Sequence, residues 1–343
     1  MAFESTLASN ILHPYFKQRV HLHEPLANHS SFGVGGSADI WLSVERRQEL
    51  HDLVSLCAQQ SWPLLVVGAG SNILYADAGV RGIVASMAMQ NYHLEDQSEK
   101  SAIVVAEAGV RWESLLKDRF PLGWSGLEFG VNIPGTIGAG IISNVGTRNQ
   151  NVGQAIEWIE VLDARNCNSE TNEPVLFPVI TFRRYQHDDL DLSYRHSRFR
   201  THRLTYIDTH GQLVLPERHL IDPAELVVTL GLRVHRQDPA TLLALSQQHT
   251  QERKEDDPAQ RHAGSIFKDP AGTTARALIE QTGLPGKTHG SAQIATRNAN
   301  YIVNLGGASA SDIAALMIEA HQQVLAQSNI QLEPNVELLG DWY

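Results

Sequence analysis

The stretch Asn132-Ile133-Pro134-Gly135-Thr136-Ile137-Gly138-Ala139-Gly140-Ile141-Ile142-Ser143-Asn144-Val145-Gly146 constrains the fold more than any other. Gly135, Gly138 and Gly140 let a backbone come close to a ligand or to another segment, and their neighbours supply unblocked N–H donors. A second such loop, Gly68-Ala69-Gly70-Ser71-Asn72, follows the apolar run Leu64-Leu65-Val66-Val67 at a strand-to-loop junction. Two loops of this kind in one domain suit a dinucleotide whose pyrophosphate is held by backbone amides without net positive charge. Glycine-rich packing accounts for the same composition equally well. The 68–72 loop lacks the third glycine of the dinucleotide fingerprint, and no helical pattern opens directly after it. No suitably placed acidic residue follows either, which argues against a Rossmann fold.

At 343 residues the chain exceeds one comfortable core, so two or three domains are expected. Its 27 basic and 38 acidic side chains leave a net charge of -11, which argues against a nucleic-acid partner. Local amides and a few arginines can still hold a small anion. Cys57 and Cys167 are too few for a disulfide framework or a cysteine metal site, which fits a reducing cytoplasm. No secretory signal and no membrane span is expected, because no apolar run approaches the roughly 20 residues a bilayer needs. His21, His23 and the other histidines lack a convincing set of metal-ligand partners, so no metal site is expected. The arginines between 183 and 203 are interrupted by Asp188, Asp189 and Asp191 and read as a mixed solvated face.

The architecture reads as mixed α+β. Residues 1–27 lack a clear period and suggest an extension or a docking helix. Strands are predicted at 38–42, 64–67, 82–87, 102–108, 156–164 and 226–234, with helices over 45–60 and 112–120. Residues 132–153 read as one long loop. Asp238-Pro239 opens a helix running to about 257, and a second over 273–282 stops at Gly283. A strand follows at 301–305, then a capping box from Ser309 to Asp312 opens a helix bearing Ile313, Leu316, Met317, Ala320 and Val324. Residues 332–339 alternate as a closing strand.

Read together, the motifs carry a resemblance. Ser31-Phe32-Gly33-Val34-Gly35-Gly36-Ser37-Ala38-Asp39, Val67-Gly68-Ala69-Gly70-Ser71-Asn72-Ile73-Leu74 and Ile133-Pro134-Gly135-Thr136-Ile137-Gly138 are similar to segments of the UDP-N-acetylenolpyruvoylglucosamine reductase family. The similarity continues in order through Tyr194-Arg195-His196-Ser197-Arg198-Phe199, then Ala263-Gly264-Ser265-Ile266-Phe267-Lys268-Asp269-Pro270. It runs on through residues 277–287 and Asn300-Tyr301-Ile302-Val303-Asn304 to Leu332-Glu333-Pro334-Asn335-Val336. The C-terminal third looks more like the shorter, second type of the family.

The resemblance implies a vanillyl-alcohol-oxidase-type FAD-binding fold in residues 28–237, of two subdomains divided near 88. It implies a substrate-binding domain over 238–330 and a strand in 331–343 that returns to the first subdomain. The implied partners are FAD, NADPH and the enolpyruvyl sugar nucleotide, and the implied state is a monomer or weak oligomer. FAD would lie along Gly68, Gly70, Ser71, Asn72, Ile133, Pro134, Gly135, Thr136 and Gly138, with Asn144 and Gly146 nearby. Arg195 would grip the substrate carboxylate, Ser265 would donate the proton, and Tyr194 and Lys268 would help bind substrate.

The chain departs from the family at informative places. Asn335 stands where a glutamate is expected, and Glu337, two residues on, is the candidate substitute. Phe32-Gly33 replaces Phe-Arg, Lys268-Asp269-Pro270 replaces Lys-Asn-Pro, and Gly146-Thr147-Arg148-Asn149 replaces Gly-Ala-Tyr-Gly. Residues 200–224 form a longer connection than the second type usually has. Two alternatives stay open on the sequence: a flavin- or nucleotide-binding paralogue without turnover, and an FAD-dependent oxidase or dehydrogenase of another alcohol or sugar.

Overall fold

The computed structural model describes residues 3–147, 150–164, 180–200, 206–220 and 224–342. Cys167, Arg148, Asn149 and Arg203 lie outside the described residues. The N-terminal part runs α1 (Ser5–Phe16), β1 (Val20–Pro25), β2 (Ser37–Val44), α2 (Arg47–Gln60), β3 (Leu64–Val67), β4 (Ile73–Tyr75) and β5 (Val80–Met87). Strands β1, β2, β5 and β3 form one sheet in that order, with β5 parallel to both β2 and β3. Helix α2 is the crossover that a parallel arrangement requires.

The N-terminal residues do more than extend the chain. Ala8, Leu12 and Phe16 recur at helical spacing on α1 and are fully buried, while β1 pairs antiparallel with β2 as the sheet edge. The strand was hard to see because its residues, Val-His-Leu-His-Glu-Pro, are mostly exposed. Arg19, just before β1, sends both guanidinium nitrogens to the carboxylate of Glu49 on α2, at 2.9 and 2.7 Å. Arg46 and the amide of Glu45 donate to the same carboxylate.

The middle part runs β6 (Tyr92–Glu95), β7 (Ser101–Glu107), α3 (Trp112–Arg119), β8 (Trp124–Ser125), α4 (Ile137–Ile142), α5 (Val152–Ala155), β9 (Ile156–Asp163), β10 (Thr181–Gln186), β11 (Arg218–His219) and β12 (Glu225–Arg236). Its sheet has the order β10-β9-β12-β7-β6, with β8 also on β12. The predicted loop over 132–153 is corrected here, since it contains the short helices α4 and α5. Thr136 caps α4 by accepting the Ala139 amide at 3.4 Å. Gly138 and Gly140 are poor helix formers, which hid the helix from a periodicity reading.

The C-terminal part runs α6 (Pro239–Asp256), α7 (Ala275–Gln281), β13 (Thr288–His289), β14 (Ala292–Ile294), β15 (Ile302–Asn304), α8 (Ala310–Ser328) and β16 (Glu337–Asp341). The Asp238 cap of α6, the Ser309–Asp312 capping box of α8 and the left-handed Gly283 after α7 are all present. The closing strand is shorter than its alternation predicts: before 337 the ladder is reduced to one isolated bridge, Phe267 with Pro334, flanked by the Lys268 N to Glu333 O and Asn335 N to Ile266 O bonds. Proline lacks the N–H a continuous ladder needs.

Strand β16 lies parallel to β4, with Leu338 opposite Leu74, so the chain end returns to the N-terminal part. Asp77 reinforces this junction by accepting the amides of Ala310 and Ser311, at 2.8 and 2.9 Å, at the start of α8. Phe32, Val34 and Leu74 share a buried cluster with Ile266, Phe267, Leu316, Val336 and Leu338. Among the described residues no helix is long and apolar enough to cross a membrane.

Candidate active site

A cavity of about 260 Å³ opens where the three parts of the chain meet. One wall is the 68–72 loop behind β3, and the facing wall is 133–136 with the start of α4. The loops touch. Ser71 Oγ donates to the Pro134 carbonyl at 3.1 Å, and a Cβ on Gly68 would stand 2.7 Å from Thr136 Oγ1 and 2.9 Å from Ala139 Cβ. Gly135, at φ +115, has backbone torsions that side chains rarely adopt, and a Cβ there would meet Ser71 Oγ at 2.6 Å. At Gly68 the side chains of Thr136 and Ala139 leave no room for a Cβ, and at Gly135 both the torsions and Ser71 favour glycine.

Among the described residues no acceptor takes the backbone N–H of Ala69, Gly70, Ser71, Asn72, Gly135 or Thr136, and all six residues line the cavity. Unpaired amides on two facing loops are a donor set suited to a pyrophosphate. Trp112 adds an indole Nε1–H on the same cavity that is buried without a partner among the described residues. The residues present therefore fit a dinucleotide cofactor.

Arg195 reaches the cavity from a tight turn in which Ser193 and His196 exchange backbone hydrogen bonds of 3.2 and 3.1 Å. Its φ of 54° is left-handed, a conformation that costs an ordinary side chain about 1 kcal/mol or more. Asn144 rivets this turn to the end of α4: its Nδ2 donates to the Ser193 carbonyl at 2.8 Å while its Oδ1 accepts the Gly153 amide at 2.9 Å. Ser197 Oγ adds a 2.7 Å bond to the Ile142 carbonyl. No carboxylate among the described residues pairs with the Arg195 guanidinium, whose nearest aromatic neighbour is the Tyr194 ring at 5.7 Å.

The opposite wall comes from the C-terminal part. Ser265 lines the cavity, and its carbonyl accepts Asn335 Nδ2 at 3.1 Å. The Asn335 amide donates to Ile266 O at 2.7 Å, and Asn72 Nδ2 donates to Asn335 O at 2.8 Å. Asn72, Asn335 and Ser265 thus form one chain of bonds across the domain junction. Asn335 Oδ1 is buried without a partner among the described residues. Asn335, Glu337 and Leu339 all face the cavity, as strand alternation requires. Glu337 is engaged there: Oε1 accepts Arg200 Nη2 at 2.6 Å and Oε2 accepts the Tyr206 hydroxyl at 3.5 Å.

The cavity wall gathers Gly68, Gly70, Ser71, Asn72, Ile133, Pro134, Gly135, Thr136, Gly146, Arg195, Ser265, Asn335 and Glu337. Four predicted residues lie elsewhere. Gly138 lies in the first turn of α4 on the side facing Ala108, where an added Cβ would meet the Cβ of Ala108 at 2.5 Å. Asn144 and Tyr194 line a neighbouring cavity of about 650 Å³, and Lys268 pairs with Glu333 at 3.0 Å. Tyr194 is nearly half exposed, and its hydroxyl accepts the Asp269 amide at 3.4 Å.

Sequence reasoning missed Trp112, Arg253, Asp257, His262 and Tyr301, which also line the cavity. Tyr301 donates its hydroxyl to Asp257 at 2.8 Å, and the His262 ring stands edge-on to it with centroids 4.9 Å apart. Burial, with help from Asp257, pushes the Tyr301 hydroxyl well above its ordinary range. Burial pulls His262 below the usual histidine value, against the opposing pull of Asp257 and the Pro258 carbonyl. Nothing in the local patterns of Arg253, Asp257 and His262 marks them, since their proximity to Tyr301 arises from the meeting of α6, the 258–265 segment and the residues before β15.

With this geometry in view, similarity to known proteins is informative. Residues 38–166 match the FAD binding domain family, and residues 256–339 match the C-terminal domain family of UDP-N-acetylenolpyruvoylglucosamine reductase. The UDP-N-acetylenolpyruvoylglucosamine reductase of Chloroflexus aurantiacus is 34% identical over 92% of this chain and 96% of its own. That of Geobacter metallireducens is 33% identical over 93% of each chain. The crystal structure of the Thermus caldophilus reductase superimposes with a TM-score of 0.69 at 28% identity, covering 93% of this chain and 98% of that one.

Proposed function

The chain belongs to the UDP-N-acetylenolpyruvoylglucosamine reductase family, and from that premise we propose how its residues divide the work. It is an FAD-dependent oxidoreductase that reduces UDP-N-acetylenolpyruvoylglucosamine to UDP-N-acetylmuramate with NADPH, in peptidoglycan precursor synthesis. FAD, when bound, supplies the hydride relay between NADPH and the enolpyruvyl double bond. Everything else falls to the protein.

The amides of Ala69 to Asn72 and of Gly135 and Thr136 hold the pyrophosphate of the cofactor. Arg195 grips the substrate carboxylate and stabilises the negative charge that gathers on it as hydride adds next door. Ser265 delivers the proton that completes the lactyl ether, since a developing carbanion is basic enough to take a hydroxyl proton. Asn335 stays uncharged near neutral pH and holds the Ser265 carbonyl. Glu337, engaged by Arg200, fixes the other flank. Tyr194 and Lys268, which lie outside the cavity shared by Arg195 and Ser265, contribute to binding the sugar nucleotide. We place the enzyme in the cytoplasm, in keeping with its NADPH dependence.

The observation that carries this reading is that an arginine without a carboxylate partner among the described residues and a serine from the C-terminal part share one cavity with two amide-bearing glycine loops. The test is steady-state NADPH oxidation by purified holoenzyme with the enolpyruvyl sugar nucleotide, the product being identified by mass. Substrate-dependent oxidation yielding the lactyl ether supports it. Oxidation that is independent of the sugar nucleotide, or rapid consumption of oxygen in its place, refutes it.

A further inference from the structure

We propose that His262 is a positioning residue for Ser265, holding the turn that carries the serine through its imidazole Nδ1. This rests on the assignment of Ser265 as proton donor. The Gly264 amide donates to His262 Nδ1 at 3.0 Å. A ring nitrogen that accepts must be unprotonated, so the imidazole proton sits on Nε2. Gly264, at φ +78, lies in a turn outside any strand or helix, with nothing within 4 Å of where its side chain would be. Core packing anchors Ala263 and Ile266 on either side, and between them hydrogen bonds help set the place of Gly264 and Ser265. On one side Asn335 Nδ2 holds the Ser265 carbonyl at 3.1 Å, and on the other His262 holds the Gly264 amide.

The imidazole is itself braced. It stands at 70° to the Tyr301 ring, and Tyr301 is tied to Asp257 through its hydroxyl and to Asn298 and Ala295 through its backbone. Asp257 at the end of α6, the Pro258 carbonyl and the Tyr301 ring are the groups that act on the imidazole, and Arg253 lines the same cavity. Of these, Asp257 favours the protonated ring, and burial opposes it more strongly. Protonation would put two donors face to face, break the bond to Gly264 and release the Ser265 turn.

The geometry fits replacement by asparagine. A side-chain acceptor bonding the amide two residues on is the Asx-turn arrangement, which an asparagine Oδ1 reproduces without titrating. His262→Leu keeps bulk and removes the acceptor. In anaerobic stopped-flow experiments on holoenzyme, His262→Leu should slow reoxidation by the sugar nucleotide about tenfold, the effect of one lost hydrogen bond. Flavin reduction by NADPH should be unchanged, and exchange at the Gly264 amide should rise. His262→Asn should retain the reoxidation rate and lose the acid-side decline of the wild type. Equal slowing of both half-reactions in His262→Leu, or failure of His262→Asn to restore the rate, would overturn the proposal. Ser265→Ala serves as the separating control: if it leaves reoxidation intact, the assignment of Ser265 itself fails.

Discussion

Gly68→Ala is the most informative single change in the cofactor cradle. The added Cβ would lie 2.7 Å from Thr136 Oγ1 and 2.9 Å from Ala139 Cβ, where uncrowded contacts sit at about 3.5–4.0 Å. The start of α4 must therefore retreat by roughly 1 Å, carrying the amides of Gly135 and Thr136 with it, because overpacked cores relax by shifting backbone. Overpacking of this kind costs about 1–3 kcal/mol, equivalent to a 5- to 150-fold loss of FAD affinity if the strain falls on the bound state. The assay is titration of apoprotein with FAD by fluorescence quenching, with thermal melting of the apoprotein as control. Combining the change with Ala139→Gly removes one of the two contacts and should recover part of the affinity. Wild-type affinity and melting in Gly68→Ala would refute the view that the two loops form one cradle.

Arg195→Met should slow the step that consumes the sugar nucleotide by about 10²–10³-fold, the usual effect of deleting one charge-stabilising donor, and leave reduction by NADPH within about twofold. Asn335→Asp exchanges a donor for a carboxylate facing the Ser265 carbonyl. Burial should raise that carboxyl, so turnover should be impaired at pH 8 and improve as pH falls, readable in a kcat profile. Glu49, paired with Arg19 and Arg46, has its carboxyl held down at about 2 in spite of burial. Its stabilising effect is fully present above the ordinary value of 4.5 and is lost as pH falls from there towards about 2. Glu49→Gln should accordingly destabilise the protein by about 3 kcal/mol at pH 7 in urea titrations and flatten the decline below pH 4.5.

Much of this molecule is legible in its sequence, for identifiable reasons. Helices α2, α6 and α8 announce themselves through apolar spacing, the Asp238-Pro239 start and the Ser309–Asp312 box, all local signals. Strands β3, β5, β7, β9 and β12 are short apolar runs buried in sheets. Helix α4 was hidden because glycines serve close approach there at the expense of helix propensity. Strand β1 was hidden because one edge position and exposed histidines carry no alternation. At the site, Arg195 and Ser265 are visible as parts of ordered motifs, Tyr301 lies in such a motif without a role attached, and Asp257 and His262 acquire meaning only when α6 and the segment before β15 are brought together. Asn144 illustrates the middle case: its position near the loop was predicted, yet its bonds go to Ser193 and Gly153 and so serve the arginine turn.

In the proposed division of labour, glycine-loop amides of one cavity hold FAD while Arg195 and Ser265 act on the sugar nucleotide. Anaerobic double-mixing stopped flow, followed at ~450 nm where oxidised flavin absorbs, tests it most directly. NADPH should bleach the bound flavin in wild type, Arg195→Met and Ser265→Ala alike, and the sugar nucleotide should restore the colour rapidly in wild type alone. A flavin that the sugar nucleotide cannot reoxidise, or one that both variants reoxidise at the wild-type rate, would contradict it.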